Sequence, residues 1–274
     1  MSQNPLQKYF RQPKIFVKLP SNGVYNKIGS LTGDVSNMPV FGMTGMDELL
    51  MKTPDALLSG ESIVKVIESC CPNIKDAWEI TSLDTDLILS AIRIATFGNK
   101  LTVTQKCRSC GEENDYDIEL STLIDHFSSF IYDNKIVIND LTIKLQPLTY
   151  RQSTEFSLRN FELQQQLSHY NNDNKDEQQK LIASLFKQLG ILQNELIYAS
   201  IESVQTSDVV VTDRSFILEW INNCDKEVFD IIKEKFNKNR EALQIPPYKV
   251  KCGECDAEGE IMIDLDQSSF FAKA

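Results

Sequence analysis

Apolar positions along this chain recur with two periods, and the switch between them divides it. From Ser82, Leu87, Ala91, Ile94 and Ala95 fall at helical spacing, with Asp84 and Asp86 as cap and first-turn acids and Gly98 as a stop. Thr44 followed by Asp47 and Glu48 opens another helix, Thr53-Pro54 a short one ended by Gly60, and Ser62 one that stops near Pro72. Alternation then replaces the helical period in Leu101–Lys106, Asp115–Leu120, Lys135–Leu145 (turning at Asn139-Asp140), Tyr248–Lys251 and Glu260–Leu265. Earlier, Lys14–Leu19 reads as a strand stopped by Pro20, Ser21–Tyr25 as a turn, and Met38–Thr44 as extended.

Residues 149–240 read as helical. Helices are expected from Thr149 to Leu167, from about Asp176 to Ala199 with an interruption at Gly190, after Thr212–Ser215, and from Asp225 to Lys238. The last two carry Phe216, Ile217, Trp220 and Ile221, then Val228, Phe229, Ile232 and Phe236. Tyr170–Asp176 is the most loop-like stretch. Core packing is the plain reading of these stripes, and docking of a partner on part of one is the alternative.

The chemistry sits where the strands are. Cys107-Arg108-Ser109-Cys110 and Cys252-Gly253-Glu254-Cys255 each lie between two short strands, and each follows a lysine, Lys106 or Lys251. Strand, tight turn with two thiols, strand is a knuckle. Two knuckles supply the four thiolates of a closed, structural zinc site. Cys107, Cys110, Cys252 and Cys255 are therefore the expected metal ligands. The bland alternative is two unrelated thiol pairs, each closed as a disulfide, for which knuckle geometry is poor. His126 and His169 stand apart from ligand spacing and read as ordinary helix or surface residues.

Zinc would join residues across a gap of 141 positions between Cys110 and Cys252. Structural zinc contributes on the order of 10 kcal/mol to folding. The expected organisation is an N-terminal arm with extended segments (1–45), a helical segment (46–99), the first knuckle and hairpin (100–147), a helical insertion (148–245) and the closing knuckle (246–274). The expected fold class is α+β, mainly helical, with a four-cysteine zinc ribbon assembled from two distant knuckles.

Composition narrows the function. The 274 residues carry a net charge of −11, and charges around the knuckles are mixed, which disfavours nucleic acid. Cys70, Cys71 and Cys224 read as buried thiols in apolar settings. Free thiols and the absence of a secretory signal or long apolar run point to a reducing cytoplasm with no membrane span. There is no Walker A sequence, no G-x-G-x-x-G after a strand, no G-x-S-x-G and no H-E-x-x-H, and no small-molecule substrate is expected.

Several blocks occur in a characteristic order: Lys18-Leu19-Pro20-Ser21-Asn22-Gly23-Val24-Tyr25; Met38-Pro39-Val40 before Met46-Asp47-Glu48; Thr53–Gly60; Leu83–Leu89 with Ile92–Gly98; Cys107-x-x-Cys110-Gly111; and Gln146-Pro147-Leu148-Thr149-Tyr150. The blocks themselves run from Lys18 to Tyr150, and the resemblance extends over roughly residues 15–240. In them the sequence resembles the baseplate hub subunit and hub-assembly proteins of T4-type contractile-tailed bacteriophages. The resemblance implies a non-enzymatic role in building the central baseplate hub, with other hub proteins as partners. It places the protein in the cytoplasm of the infected host during assembly, or in the virion tail baseplate. Two other classes stay open: a zinc-ribbon adaptor for nucleic acid or polymerase, and a metal-dependent enzyme with non-cysteine ligands.

Overall fold

The computed structural model describes residues 4–52, 59–169, 175–263, 265 and 270–271. The helix expected from Thr53 and most of the loop expected at 170–176 fall outside these residues. The chain forms two compact units, Met1–Phe130 with Leu243–Ala274, and Ile131–Ala242.

In the first unit β1 (Pro13–Val17) pairs antiparallel with β2 (Met38–Phe41). Short α1 (Gly45–Leu50) has a reciprocal capping box: Thr44 accepts from the Asp47 N–H, and Asp47 accepts from the Thr44 N–H. Then come α2 (Glu61–Cys70) and α3 (Ser82–Phe97). The core gathers on α3, where Leu87, Ile88, Ala91 and Ile92 are fully buried beside Leu19, Met38, Val40, Ile63 and Ile67. At about 25 cal/mol per Å² of apolar area, this burial is the main force holding the unit together.

Two buried charges tie this core. The cap of α3 is Thr81, one residue before the expected Ser82. Asp84 is more than a first-turn acid. It is fully buried; its Oδ1 accepts from the Ser21 N–H (3.0 Å), and its Oδ2 from the Ser21 hydroxyl (2.6 Å) and Asn26 Nδ2 (3.0 Å). Desolvation nevertheless raises its pKa. Arg93, also buried, lies over the Phe97 ring and donates from Nε to the Phe270 carbonyl at 2.9 Å.

Gly98, at φ 95°, ends α3 and delivers the chain into β3 (Lys100–Lys106). β3 pairs in full register with β4 (Glu113–Glu119), and α4 (Ser121–Ser129) follows. Alternation gives the hairpin two unlike faces. Lys100, Thr102, Thr104, Lys106, Glu113, Asp115, Asp117 and Glu119 point outward, while Leu101, Val103, Gln105, Asn114, Tyr116 and Ile118 are at least partly covered.

The second unit begins with β5 (Lys135–Ile138) and β6 (Leu141–Leu145), joined through Asn139 in the left-handed region at φ 53°. Two long helices follow, α5 (Tyr150–His169) and α6 (Lys175–Ala199), the latter running through Gly190. Between α6 and the next helix the chain adds strands that the helical reading of 149–240 did not include. β7 (Ile201–Gln205) and β8 (Val210–Val211) add to the hairpin, giving an antiparallel sheet in the order β5-β6-β7-β8. Ile201, Val204 and the Val209–Val211 run are β-branched and suit a strand, but segments this short show no period of their own between two helices, and the pairing with β6 makes them one. Among the described residues ten strands in four sheets stand beside the helices, so "mainly helical" gives way to a mixed α/β architecture.

Helices α7 (Arg214–Asn223) and α8 (Lys226–Leu243) complete this unit. Ile217 and Ile221 of α7 and Ile232 and Phe236 of α8 join Ile136, Ile143, Leu145, Ile197, Ile201 and Val204 in one core. Arg214 lies over the Tyr198 ring and donates to the Tyr198 carbonyl at 2.9 Å and to that of Ile201, satisfying acceptors where α6 gives way to β7. The chain returns to the first unit as β9 (Tyr248–Lys251) and β10 (Glu258–Ile261), paired antiparallel.

Candidate metal centre

Each cysteine pair sits in the turn of its hairpin, β3–β4 or β9–β10, and the two turns match bond for bond. The Cys107 N–H donates to the Glu112 carbonyl at 2.8 Å, and the Cys252 N–H to that of Ala257 at 2.9 Å. The Gly111 N–H returns to the Cys107 carbonyl at 2.9 Å, and the Asp256 N–H to that of Cys252 at 3.0 Å. The residue after each second cysteine is left-handed, Gly111 at φ 78° and Asp256 at φ 55°. Across each hairpin the leading lysine meets a glutamate: Lys106–Glu113 at 3.5 Å and Lys251–Glu258 at 3.8 Å. Those pairs are exposed and add little stability, but they place a carboxylate beside each lysine.

The structure brings the four expected residues together. The sulfurs of Cys107 and Cys255 are 3.7 Å apart, as are those of Cys110 and Cys252. All four ligand atoms lie within 4.8 Å of one another. Thiolates bound tetrahedrally at about 2.3 Å would stand about 3.8 Å apart, so the donor set and its spacing fit a zinc-sized ion. Cys252 is buried, Cys107 half-buried, and Cys110 and Cys255 are exposed.

The thiols are not equivalent. Backbone N–H groups of Glu254 and Cys255 hold Cys252 down to about 6. Those of Cys110 and Ser109 lower Cys107, the Ser109 N–H lying 3.4 Å from its sulfur. The Ala257 N–H favours the Cys255 thiolate, yet the neighbouring thiols Cys110, Cys252 and Cys107, together with desolvation, push it up to about 12. Cys110 rises too: the Glu112 N–H favours its thiolate, but desolvation and the Cys252 and Cys107 thiols outweigh it. Four thiols this close cannot all ionise without a cation among them. The remaining cysteines differ in kind. Burial raises Cys70 to about 12 and raises Cys71 further, and Cys224 is raised for the same reason.

One polar contact at the centre was missed by the sequence reading. Asn114 of β4 reaches across from the first hairpin to the second, where its Oδ1 accepts from the Gly253 N–H at 2.9 Å. Its Nδ2 lies 3.4 Å from Cys252 Sγ. The available signal was an amide at an inward position of an alternating strand. His126, in α4, stays apart from the cluster, its Nε2 lying 3.3 Å from the Leu243 carbonyl.

With this geometry in view, comparison with known families is decisive. The family described as T4 bacteriophage base plate protein matches residues 13–272. The chain belongs to that family. No curated protein and no solved structure matches it. This base plate protein carries its thiol cluster at the junction of segments near positions 110 and 252, both inside the matched span. Among its described residues no helix is long and apolar enough to cross a membrane.

Proposed function

We propose that this base plate protein acts, without catalysis, in building the central hub of the tail baseplate through protein–protein contacts. In this reading Cys107, Cys110, Cys252 and Cys255 bind one structural zinc ion that fixes the two knuckles. The observation that carries it is the family match over residues 13–272. The donor set supports the structural role of the metal: four sulfurs fill a tetrahedral shell, whereas catalytic zinc keeps a position open. The partners are other baseplate hub proteins. The working location is the cytoplasm of the infected host during assembly, and the virion baseplate if the protein stays.

Two surfaces support docking. The arm ahead of β1 forms a short 3-10 turn, Pro5–Tyr9, and leaves Leu6, Tyr9 and Phe10 exposed. Arg11 fixes the base of this arm by donating to the Ser69 carbonyl (2.6 Å), the Ser69 hydroxyl (2.8 Å) and the Gly42 carbonyl (2.7 Å). In the second unit Phe161, Phe186 and Phe216 stand exposed on α5, α6 and α7. An exposed apolar ring gains by burial wherever a partner covers it.

The test is a phage with this gene disrupted. Incomplete baseplates or free tail tubes in lysates of infected cells are the expected result. Complete baseplates would overturn the proposal. Deleting residues 1–10, which keeps Arg11 and its bonds to Ser69 and Gly42, should reduce baseplate yield if the arm docks.

A further inference from the structure

The two knuckles repeat each other through their turns and diverge just beyond. Counting from the first cysteine of each, Asn114 in the first hairpin occupies the position of Gly259 in the second. One hairpin therefore offers a side-chain amide to the other, and the second has no side chain with which to reciprocate. The amide is fully engaged. Nδ2 donates to the Glu112 carbonyl at 3.1 Å and lies 3.4 Å from Cys252 Sγ, while Oδ1 accepts from the Gly253 N–H at 2.9 Å. These partners fix which end is which, because a flipped amide would set N–H against N–H and carbonyl against carbonyl.

We infer that Asn114 is the positioning residue of the metal centre: it docks the second knuckle on the first and donates a hydrogen bond to the Cys252 thiolate. The inference rests on the zinc reading of the four cysteines. Its physical basis is the general one for ligands held by outer partners. A hydrogen bond to a metal-bound thiolate fixes its direction and draws off part of its charge, and removing such a partner typically weakens binding about 10- to 100-fold. Cys252 is the most buried of the four, so it has the least water to take over that bond. The Gly253 contact adds a second effect: it holds the N–H beside Cys252 in place before the ion arrives.

The experiment uses the full chain and two variants. Asn114→Leu keeps the volume and removes all three contacts, to Glu112, Cys252 and Gly253. Asn114→Asp keeps an acceptor for the Gly253 N–H, loses the donor, and sets an oxygen against the thiolate. Zinc affinity is measured by competition with a chromophoric chelator, and cobalt(II) replaces zinc to read the thiolate-to-metal charge-transfer band. Gly253 amide exchange is followed as well. Expected are zinc dissociation constants raised about 10-fold or more in both variants, a shifted cobalt band in both, and loss of Gly253 protection in Asn114→Leu only. A general loosening of the hairpin would weaken binding but leave the cobalt band in place, and that outcome overturns the thiolate bond. Wild-type affinity with an unchanged spectrum in both variants overturns the inference while the zinc reading stands. A wild-type chain that takes up neither metal overturns both.

Discussion

The sulfur of Cys110 lies 3.7 Å from that of Cys252, although 142 positions separate them in sequence. The contact closes a loop of chain that contains every residue between the two hairpins. Without an ion, Cys110 and Cys255 keep their protons while Cys107 and Cys252 give theirs up more readily, so the four are not thiolates together.

Metal removal follows directly. A chelator should speed amide exchange at Cys107, Gly111, Cys252 and Asp256, whose N–H groups close the two turns. Amides of β6 in the second unit, backed by the fully buried Ile143 and Leu145, should keep their protection. Exchange mass spectrometry reads both, and equal protection of the knuckles with and without chelator would count against a metal.

The matched turns make a paired prediction. Gly111 is left-handed with open space where a Cβ would go, so Gly111→Ala should cost about 1–2 kcal/mol from backbone conformation alone. Asp256 is left-handed without being glycine, and Asp256→Gly should gain roughly 0.5–1 kcal/mol. Denaturant midpoints of the zinc-loaded chains measure both. A neutral Gly111→Ala, or a destabilising Asp256→Gly, would contradict the role given to these turns.

Asp84→Asn places an amide N–H against the Asn26 N–H and disturbs an acceptor that serves Ser21 twice. The expected loss is about 2–4 kcal/mol, the cost of one or two buried groups left unpaired. Its pH dependence has a definite sign. Desolvation lifts the folded pKa of Asp84 above its unfolded value, so the folded chain holds the proton longer. Stability from this residue is full below the ordinary carboxylate range and declines as pH rises above it. The penalty of Asp84→Asn should therefore be largest at about pH 4 and smaller at about pH 7, as read from urea unfolding at both. A penalty that grows toward neutrality would contradict the raised pKa.

Local signals with a short reach were legible in the sequence. The Thr44 cap with Asp47, the Gly98 stop, the Asn139 turn and the strands flanking the first knuckle all depend on close neighbours in the chain and are found in place, while the strand after the second knuckle, expected at Glu260–Leu265, lies at Glu258–Ile261. The pairing of Cys107 with Cys255 was legible only because two copies of one motif demanded a common purpose. What stayed hidden depends on distant partners. β7 is a strand because β6 lies beside it, with Ile143 opposite Val204. Asp84 is a buried tie because Ser21 folds back onto α3, and nothing near position 84 announces that. Asn114 matters for the same reason: its partners Cys252 and Gly253 are 138 and 139 residues away.

The most direct test of the central claim is elemental analysis of the purified full-length chain, alongside a Cys107→Ser/Cys252→Ser double variant. One zinc per wild-type chain is predicted at equilibrium with micromolar zinc, and none bound stoichiometrically in the variant. A wild-type chain free of zinc, or a variant that keeps a full equivalent, would contradict it.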